Sequence, residues 1–149
     1  MKKVNRKFTI VGNWKMNPDS LDEAKAIFSK ISRARDKYSK VNVIIAPPAV
    51  FIGILAGKKI PIAVQDVSSE VRGAFTGSVS ARQMKSAGAV YTIVGHSERR
   101  AAGDSEEVIL AKVNQALESG LRVILCIGEK ERDQNAQYLH QIREQVINI

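Results

Sequence analysis

Five short apolar runs recur along the chain, at Phe8–Val11, Val41–Ala46, Ile60–Val64, Val90–Val94 and Leu121–Ile127. Each is rich in β-branched residues and nearly continuous rather than alternating with polar positions, the pattern of parallel strands buried on both faces. Between the runs the apolar period changes to that of a helix. Leu21, Ala24, Ile27, Phe28, Ile31 and Ala34 form one stripe, preceded by Ser20 and Glu23 at capping-box spacing. After the fourth run Asp104 and Glu107 repeat that spacing, Ile109, Val113, Ala116 and Leu117 repeat the stripe, and Gly120 supplies a stop. A shorter helix is expected after Pro47 and Pro48, ending near Gly57, and another from about Ser80 to Ala87 ahead of Gly88. The last helix carries Tyr138, Leu139, Ile142, Val146 and Ile149 on one side. Strict alternation of strand and helix predicts an α/β fold, a parallel sheet with right-handed crossovers, either doubly wound or closed as a barrel. No Ser/Gly-rich linker interrupts it, so residues 1–149 are expected to form a single domain.

Composition narrows the class. With 149 residues and 44% hydrophobic content the chain is long enough for one ordinary core. The basic segment 1–7 is followed by an apolar stretch too short for a secretory signal, and no run reaches the length of a membrane span, so a soluble, cytoplasmic protein without a membrane partner is expected. The single cysteine, Cys126, lies within an apolar run and is expected to be a buried reduced thiol. Lys and Arg number 23 against 15 Asp and Glu, giving a formal charge of +8. That balance attracts anionic ligands. The basic residues are nevertheless scattered, through Lys2, Lys3, Arg6 and Lys7, then Lys30, Arg33, Arg35, Lys37 and Lys40, then Lys58 and Lys59, and aromatics are only 5%. This distribution argues against a nucleic-acid partner.

The polar residues that interrupt the pattern fall at one kind of place. The first run leads into Asn13 and Lys15, the third into Gln65 and Asp66, the fourth into His96 and Glu98, and the fifth into Glu129. All stand at C-terminal strand ends, the rim where parallel β/α proteins place ligand sites. A cation, an imidazole and a carboxylate brought together there suit proton transfer beside a carbonyl: Lys15 can neutralise an enediolate oxygen, His96 can donate a proton, and Glu98 can hold Lys15. On residue type alone, a surface lysine and a loop histidine serve equally well as solvated or structural groups. No P-loop, dinucleotide fingerprint, nucleophile elbow or metal-spaced Cys/His pair occurs, so no metal and no cofactor is expected. His140, in the last helix, is expected to be partly exposed and structural.

The same residues stand in longer strings. Gly12–Asn17, reading GNWKMN, and Val94–Arg100, reading VGHSERR, are joined by Gly73–Gly77, GAFTG, and Leu125–Glu129, LCIGE. In these strings and their order the chain resembles the triosephosphate isomerase family over essentially all of its length. The resemblance implies parallel βα units of a TIM barrel, about five of the eight strands, and a glycolytic activity that interconverts dihydroxyacetone phosphate and glyceraldehyde 3-phosphate through an enediolate. It implies catalytic roles for Lys15, His96 and Glu98, and substrate binding by Asn13 and Lys15. His96 would be the neutral electrophilic histidine kept so by a helix N-terminus, for which this family is itself the standard worked case. It also implies a homodimer with Met16, Phe75 and Thr76 near the interface.

Two departures go with the resemblance. Ser78 stands where the family usually has a glutamate, removing a charge expected to pair with Arg99. A barrel of this class has about 250 residues, so the glutamate base, the closing lid and the phosphate-gripping amides are expected to lie beyond Ile149. The expected partners are therefore a triose phosphate and either a second copy or a C-terminal complement. The chain alone is expected to be nearly inactive. The alternative is a self-associating half-barrel that acts as an assembly module without catalysis.

Overall fold

The computed structural model describes residues 8–38, 40–129, 131–132, 134–147 and 149; the basic segment 1–7 lies outside the described residues. The elements follow one another as β1 (Phe8–Asn13), α1 (Leu21–Arg35), β2 (Val41–Ala46), a 3₁₀ turn (Ala49–Phe51) running into α2 (Ile52–Leu55), β3 (Ala63–Val64), α3 (Ala81–Ser86), β4 (Tyr91–Val94), α4 (Ser97–Ala101), α5 (Glu106–Glu118), β5 (Arg122–Leu125) and α6 (Gln137–Ile147). The expected alternation is present.

All the strand pairs are parallel. β1 runs beside β2 from Phe8 opposite Val41 to Asn13 opposite Ala46, and β4 lies between β3 and β5. The two groups meet through a parallel bridge between Ile45 and Ile62 and through the Ile45 N–H, which donates to the Pro61 carbonyl at 3.2 Å. The strands therefore follow chain order across the sheet. β3 is shorter than the apolar run Ile60–Val64 predicts, because Pro61 has no N–H to give to a ladder and only its carbonyl takes part. β1, by contrast, extends two residues further than its apolar run, to Asn13.

Successive strand side chains point to opposite faces. On one face Ile45, Ile62 and Val64 pack against Ala24 and Phe28 of α1 and Ile52 and Leu55 of α2, all buried. On the other, Ile44, Ala46, Ala63 and Ile93 form a smaller cluster flanked by Val11, Ile124 and Cys126. Two-sided burial is thus met in the middle of the sheet and lost at its margins. Phe8 is 80% exposed and Ile10 58% exposed; among the described residues β1 has a neighbouring strand on one side only. Cys126 is unpaired and only half-buried, since it sits at the flank of that smaller cluster rather than within it, and partial burial pushes its thiol pKa up.

Caps fix where the helices begin and end. Ser20 accepts from the Glu23 N–H, as its spacing predicts. The cap of α5 is Ser105, which accepts from the Val108 N–H; Asp104, the expected cap, is drawn instead into ion pairs with Lys112 and Arg99. At the far end of α5, Leu121 N–H reaches the Ala116 carbonyl and Gly120 N–H the Leu117 carbonyl, a Schellman closure with Gly120 at φ +74°. The last helix, α6, has no buried residue. It is tied to the sheet by Gln145, whose side-chain amide both accepts from Gly128 N–H at 2.9 Å and donates to the Gly128 carbonyl at 3.0 Å. His140 is 75% exposed on this helix, more than the partial exposure expected, because its helix buries no residue fully. Among the described residues no helix is long and apolar enough to cross a membrane.

Gly88 and Gly103 separate two costs that a glycine can hide. Both have positive φ, +96° and +110°, but a Cβ on Gly88 would lie 2.6 Å from the Ala56 Cβ, whereas at Gly103 nothing lies within 4 Å. Gly103→Ala should lose only the backbone term, on the order of 1–2 kcal/mol. Gly88→Ala should lose that plus roughly 1–3 kcal/mol of overpacking. Urea unfolding of the two variants measures the difference, and equal losses would contradict the close approach of Gly88, after α3, to Ala56, after α2.

Candidate active site

β1 ends at Asn13, and two residues later Lys15 adopts φ +54°. That left-handed conformation costs a side-chain-bearing residue on the order of 1–2 kcal/mol, so it persists only where neighbours hold it. The holders are identifiable. Asn13 Oδ1 accepts from the Lys15 N–H at 2.9 Å, and Gln65 Nε2 donates to the Lys15 carbonyl at 2.8 Å. The same Gln65 nitrogen donates to the Ala46 carbonyl at 2.9 Å, and Trp14 N–H donates to Ala46 as well, at 3.0 Å. Gln65, at the end of β3, therefore ties the exits of β1 and β2 together.

The backbone so fixed aims Lys15 across the rim. Its Nζ lies 2.6 Å from Glu98 Oε1, a residue 83 positions away on α4. This bond is the main reason the Glu98 carboxyl is held below the ordinary carboxylate range; desolvation opposes it, and the nearby charge of Lys15 adds to the lowering. Both side chains are more than half exposed, which leaves the pair open to solvent and to a ligand.

His96 is the N-cap of α4, and its Nδ1 accepts from the Glu98 N–H at 3.2 Å. A backbone N–H can only donate, so this bond requires an unprotonated Nδ1 and, in the neutral ring, a proton on Nε2. Glu98 Oε2 also lies 3.6 Å from Nδ1. An ion pair there would need Nδ1 protonated, which conflicts with the amide bond; at 3.6 Å it is too long for a hydrogen bond, and the amide decides the tautomer.

Behind α4 lies a network of alternating charge. Lys112 Nζ, buried in the wall of α5, donates to Asp66 at 2.8 and 3.0 Å and to Asp104 at 2.6 Å; Arg99 reaches Asp66 at 2.9 Å and Asp104 at 3.3 Å. Asp66 thus turns away from Lys15 toward the helices, and Arg99, facing Ser78's segment without a glutamate there, has two carboxylates within its own chain. The Lys112 position was open to reading: it falls three residues after Ile109 on the buried stripe, where a lysine requires partners. Glu129 also stands apart from the Lys15 group, bonded to Arg132 at 2.7 Å, which lowers its pKa.

The segment between Asp66 and α3 is closed at its base by Ser68 N–H donating to the Val79 carbonyl at 2.9 Å. Its tip exposes Phe75 and Thr76, and Met16 at the β1 exit is 92% exposed. Two cavities flank this segment, one of about 290 Å³ bordered by Glu70, Arg72, Phe75 and Arg82, the other of about 440 Å³ bordered by Asp66, Gly77, Arg99 and Lys112. Neither is lined by Asn13, Lys15, His96 or Glu98. Among the described residues no group of three or more His, Cys, Asp or Glu could hold a metal ion.

Comparison with known proteins places these features in a family. The family profile "Triosephosphate isomerase" matches residues 8–149. A triosephosphate isomerase of Coprinopsis cinerea is 44% identical over 137 residues, covering 88% of this chain and 54% of the relative, and one of Prosthecochloris aestuarii is 43% identical over 129 residues, covering 83% and 51%. The crystal structure of triosephosphate isomerase from Bartonella henselae superposes with a TM-score of 0.81 at 35% identity, over 96% of this chain and 61% of that one. The chain spans about half the length of the relatives it matches. Its five parallel strands with their helices are parallel units of the TIM fold.

The pairing of Lys15 with Glu98 makes a pH prediction. Because the folded carboxyl pKa is depressed, the pair is intact above the ordinary glutamate pKa and is lost as pH falls through the lowered value. Carbon NMR of the Glu98 carboxyl should show a midpoint below that of an ordinary glutamate, returning upward in Lys15→Met. An unchanged midpoint in that variant would show that Lys15 does not hold Glu98.

Proposed function

Because the chain belongs to the triosephosphate isomerase family, we propose that it supplies the electrophilic half of a site that interconverts dihydroxyacetone phosphate and glyceraldehyde 3-phosphate. The observation that carries this reading is the convergence of Lys15 Nζ, Glu98 and the imidazole of His96 from two separate strand ends, with Lys15 in a conformation held by Asn13 and Gln65. Removal of a proton from the carbon beside the substrate carbonyl leaves an electron pair that moves onto the carbonyl oxygen. The Lys15 ammonium neutralises that oxygen, and the Nε2–H of His96 donates to it. The hydroxyl proton of the second oxygen passes by way of the His96 imidazole to the first, which becomes the hydroxyl, and return of the carbon proton to the neighbouring carbon leaves the second oxygen as the carbonyl. Asn13 binds on the oxygen side, and Glu98 keeps Lys15 in place.

A base is also required. No carboxylate in these residues stands in a matching motif, since Asp66 and Asp104 are committed to Lys112 and Arg99, and Glu129 to Arg132. These 149 residues by themselves turn over negligibly, the base and the phosphate grip belonging to the part of the relatives' length that they do not span. Loss of general-base catalysis costs about 10²- to 10⁴-fold before phosphate binding is counted. Met16, Phe75 and Thr76 face a second copy in a homodimer. The activity is cytoplasmic and needs no cofactor. A second reading is favoured by the exposed Phe8 and Ile10 on β1: a half-barrel that self-associates without catalysis.

A coupled isomerase assay on the purified chain, with and without a separately produced C-terminal complement, tests the first reading. Turnover should appear only with the complement and should vanish in Lys15→Met and His96→Gln. Full activity without it would end the missing-base account, and unaffected rates in the two variants would end their assigned roles. Sedimentation of the chain alone tests the second: a monomer at every concentration would rule it out.

A further inference from the structure

We propose that Arg100 is a positioning residue for His96, setting the imidazole through the two carbonyls that its guanidinium holds and anchored by Glu106. The inference rests on the isomerase reading of His96. It is carried by a different set of contacts.

The turn from β4 into α4 is made by Gly95, at φ +73°. The β4–β5 ladder ends there: Val94 is the last paired residue, and the Cys126 N–H donates back to the Val94 carbonyl at 2.9 Å. A regular parallel ladder would continue with a β4-side amide on the Cys126 carbonyl. Beyond Gly95 the guanidinium of Arg100 occupies that place. Its Nε donates to the Gly95 carbonyl at 2.8 Å and its Nη2 reaches the Cys126 carbonyl at 3.5 Å. One rigid plane therefore spans the ends of β4 and β5 where their backbones part.

The fit is close and the charge is compensated. A Cβ on Gly95 would lie 3.0 Å from the Cys126 oxygen and 3.2 Å from Arg100 Nη2, so the guanidinium is packed directly against the turn. The Arg100 side chain is only 14% exposed, and Nη1 is paired with Glu106 Oε1. Glu106 is the first residue of α5, where the helix dipole favours a carboxylate. A contact chain thus runs from the start of α5 through Glu106 and Arg100 to the peptide immediately before His96. The His96 carbonyl in turn accepts from the Arg99 and Arg100 N–H groups, so Arg100 grips the histidine from both sides of the turn. Displacing this clamp moves the N-cap and loosens the bond from the Glu98 N–H that selects the Nδ1 acceptor.

Nitrogen NMR of the imidazole rings reads this without any need for turnover. The chain has two histidines, and exposed His140 on α6 is an internal control. In the parent chain His96 should show an unprotonated Nδ1 and a protonated Nε2. Arg100→Ala should draw the two resonances toward each other as the tautomers mix, leaving His140 unchanged, and Arg100→Lys should restore part of the separation. Unchanged His96 resonances in folded Arg100→Ala would overturn the proposal and leave Arg100 a stabilising residue only. Should that variant fail to fold, Glu106→Gln, which removes the charge that anchors the guanidinium on its two carbonyls, is read in the same way: a smaller displacement of the same sign supports the clamp, and none overturns it. In the complemented enzyme Arg100→Lys should lower kcat about 10- to 100-fold with KM little changed. If the parent chain gains no turnover from the complement, the isomerase reading fails while the NMR result still decides whether Arg100 sets His96.

Discussion

The bond that the rim depends on is the one made by Gln65. A single amide nitrogen donating to the carbonyls of Ala46 and Lys15 connects the ends of β3, β2 and β1. Parallel pairing makes this possible, because strands running in one direction deliver their loops to one edge of the sheet. Without it the left-handed backbone at Lys15 would rest on Asn13 alone. With it, a lysine that leaves β1 is aimed at a glutamate on α4, across the width of the sheet.

Two kinds of support hold the α4 side. Lys112 is enclosed by Asp66 and Asp104 and linked through them to Arg99. A buried ammonium with two carboxylates and a flanking guanidinium is a closed set of charges, in which loss of one member leaves the others without compensation. Arg100 faces the opposite way, toward the strand ends. The consecutive arginines of the sequence string thus divide their work. One braces α4 against α5, and the other braces the turn before α4 against β4 and β5.

The element order and the residues that meet at the rim were legible in the sequence because they rest on local rules. Apolar period separates strand from helix, Ser20 announces α1, Gly120 ends α5, and the polar residues after each strand emerge at one edge. What escaped depended on competition between partners far apart in the chain. Asp104 has the spacing of a cap but is outbid by Ser105, because Lys112 requires its carboxylate. Pro61 shortens β3 through a missing donor that an apolar count does not register. The tasks of Gln65 and Arg100 were invisible for the same reason: each serves a backbone carbonyl, and nothing in residue type tells which carbonyl lies nearby. The exposure of Phe8 and Ile10 reflects position at the margin of the sheet, not the composition of β1.

The clasp between Gln145 and Gly128 bears on how the molecule comes apart. A side-chain amide is here standing in for a peptide group, giving and taking one hydrogen bond each as a neighbouring strand would. α6 buries none of its residues fully, and the clasp is one of its attachments, beside the Arg132 guanidinium over the Tyr138 ring. Segments with so little buried surface open far below the free energy of global unfolding. Lifting of the last helix breaks this clasp, so the amide of Gly128 is placed to report it. Its exchange with solvent follows the lifting of α6, while the amides of β4 keep the slower clock of the core.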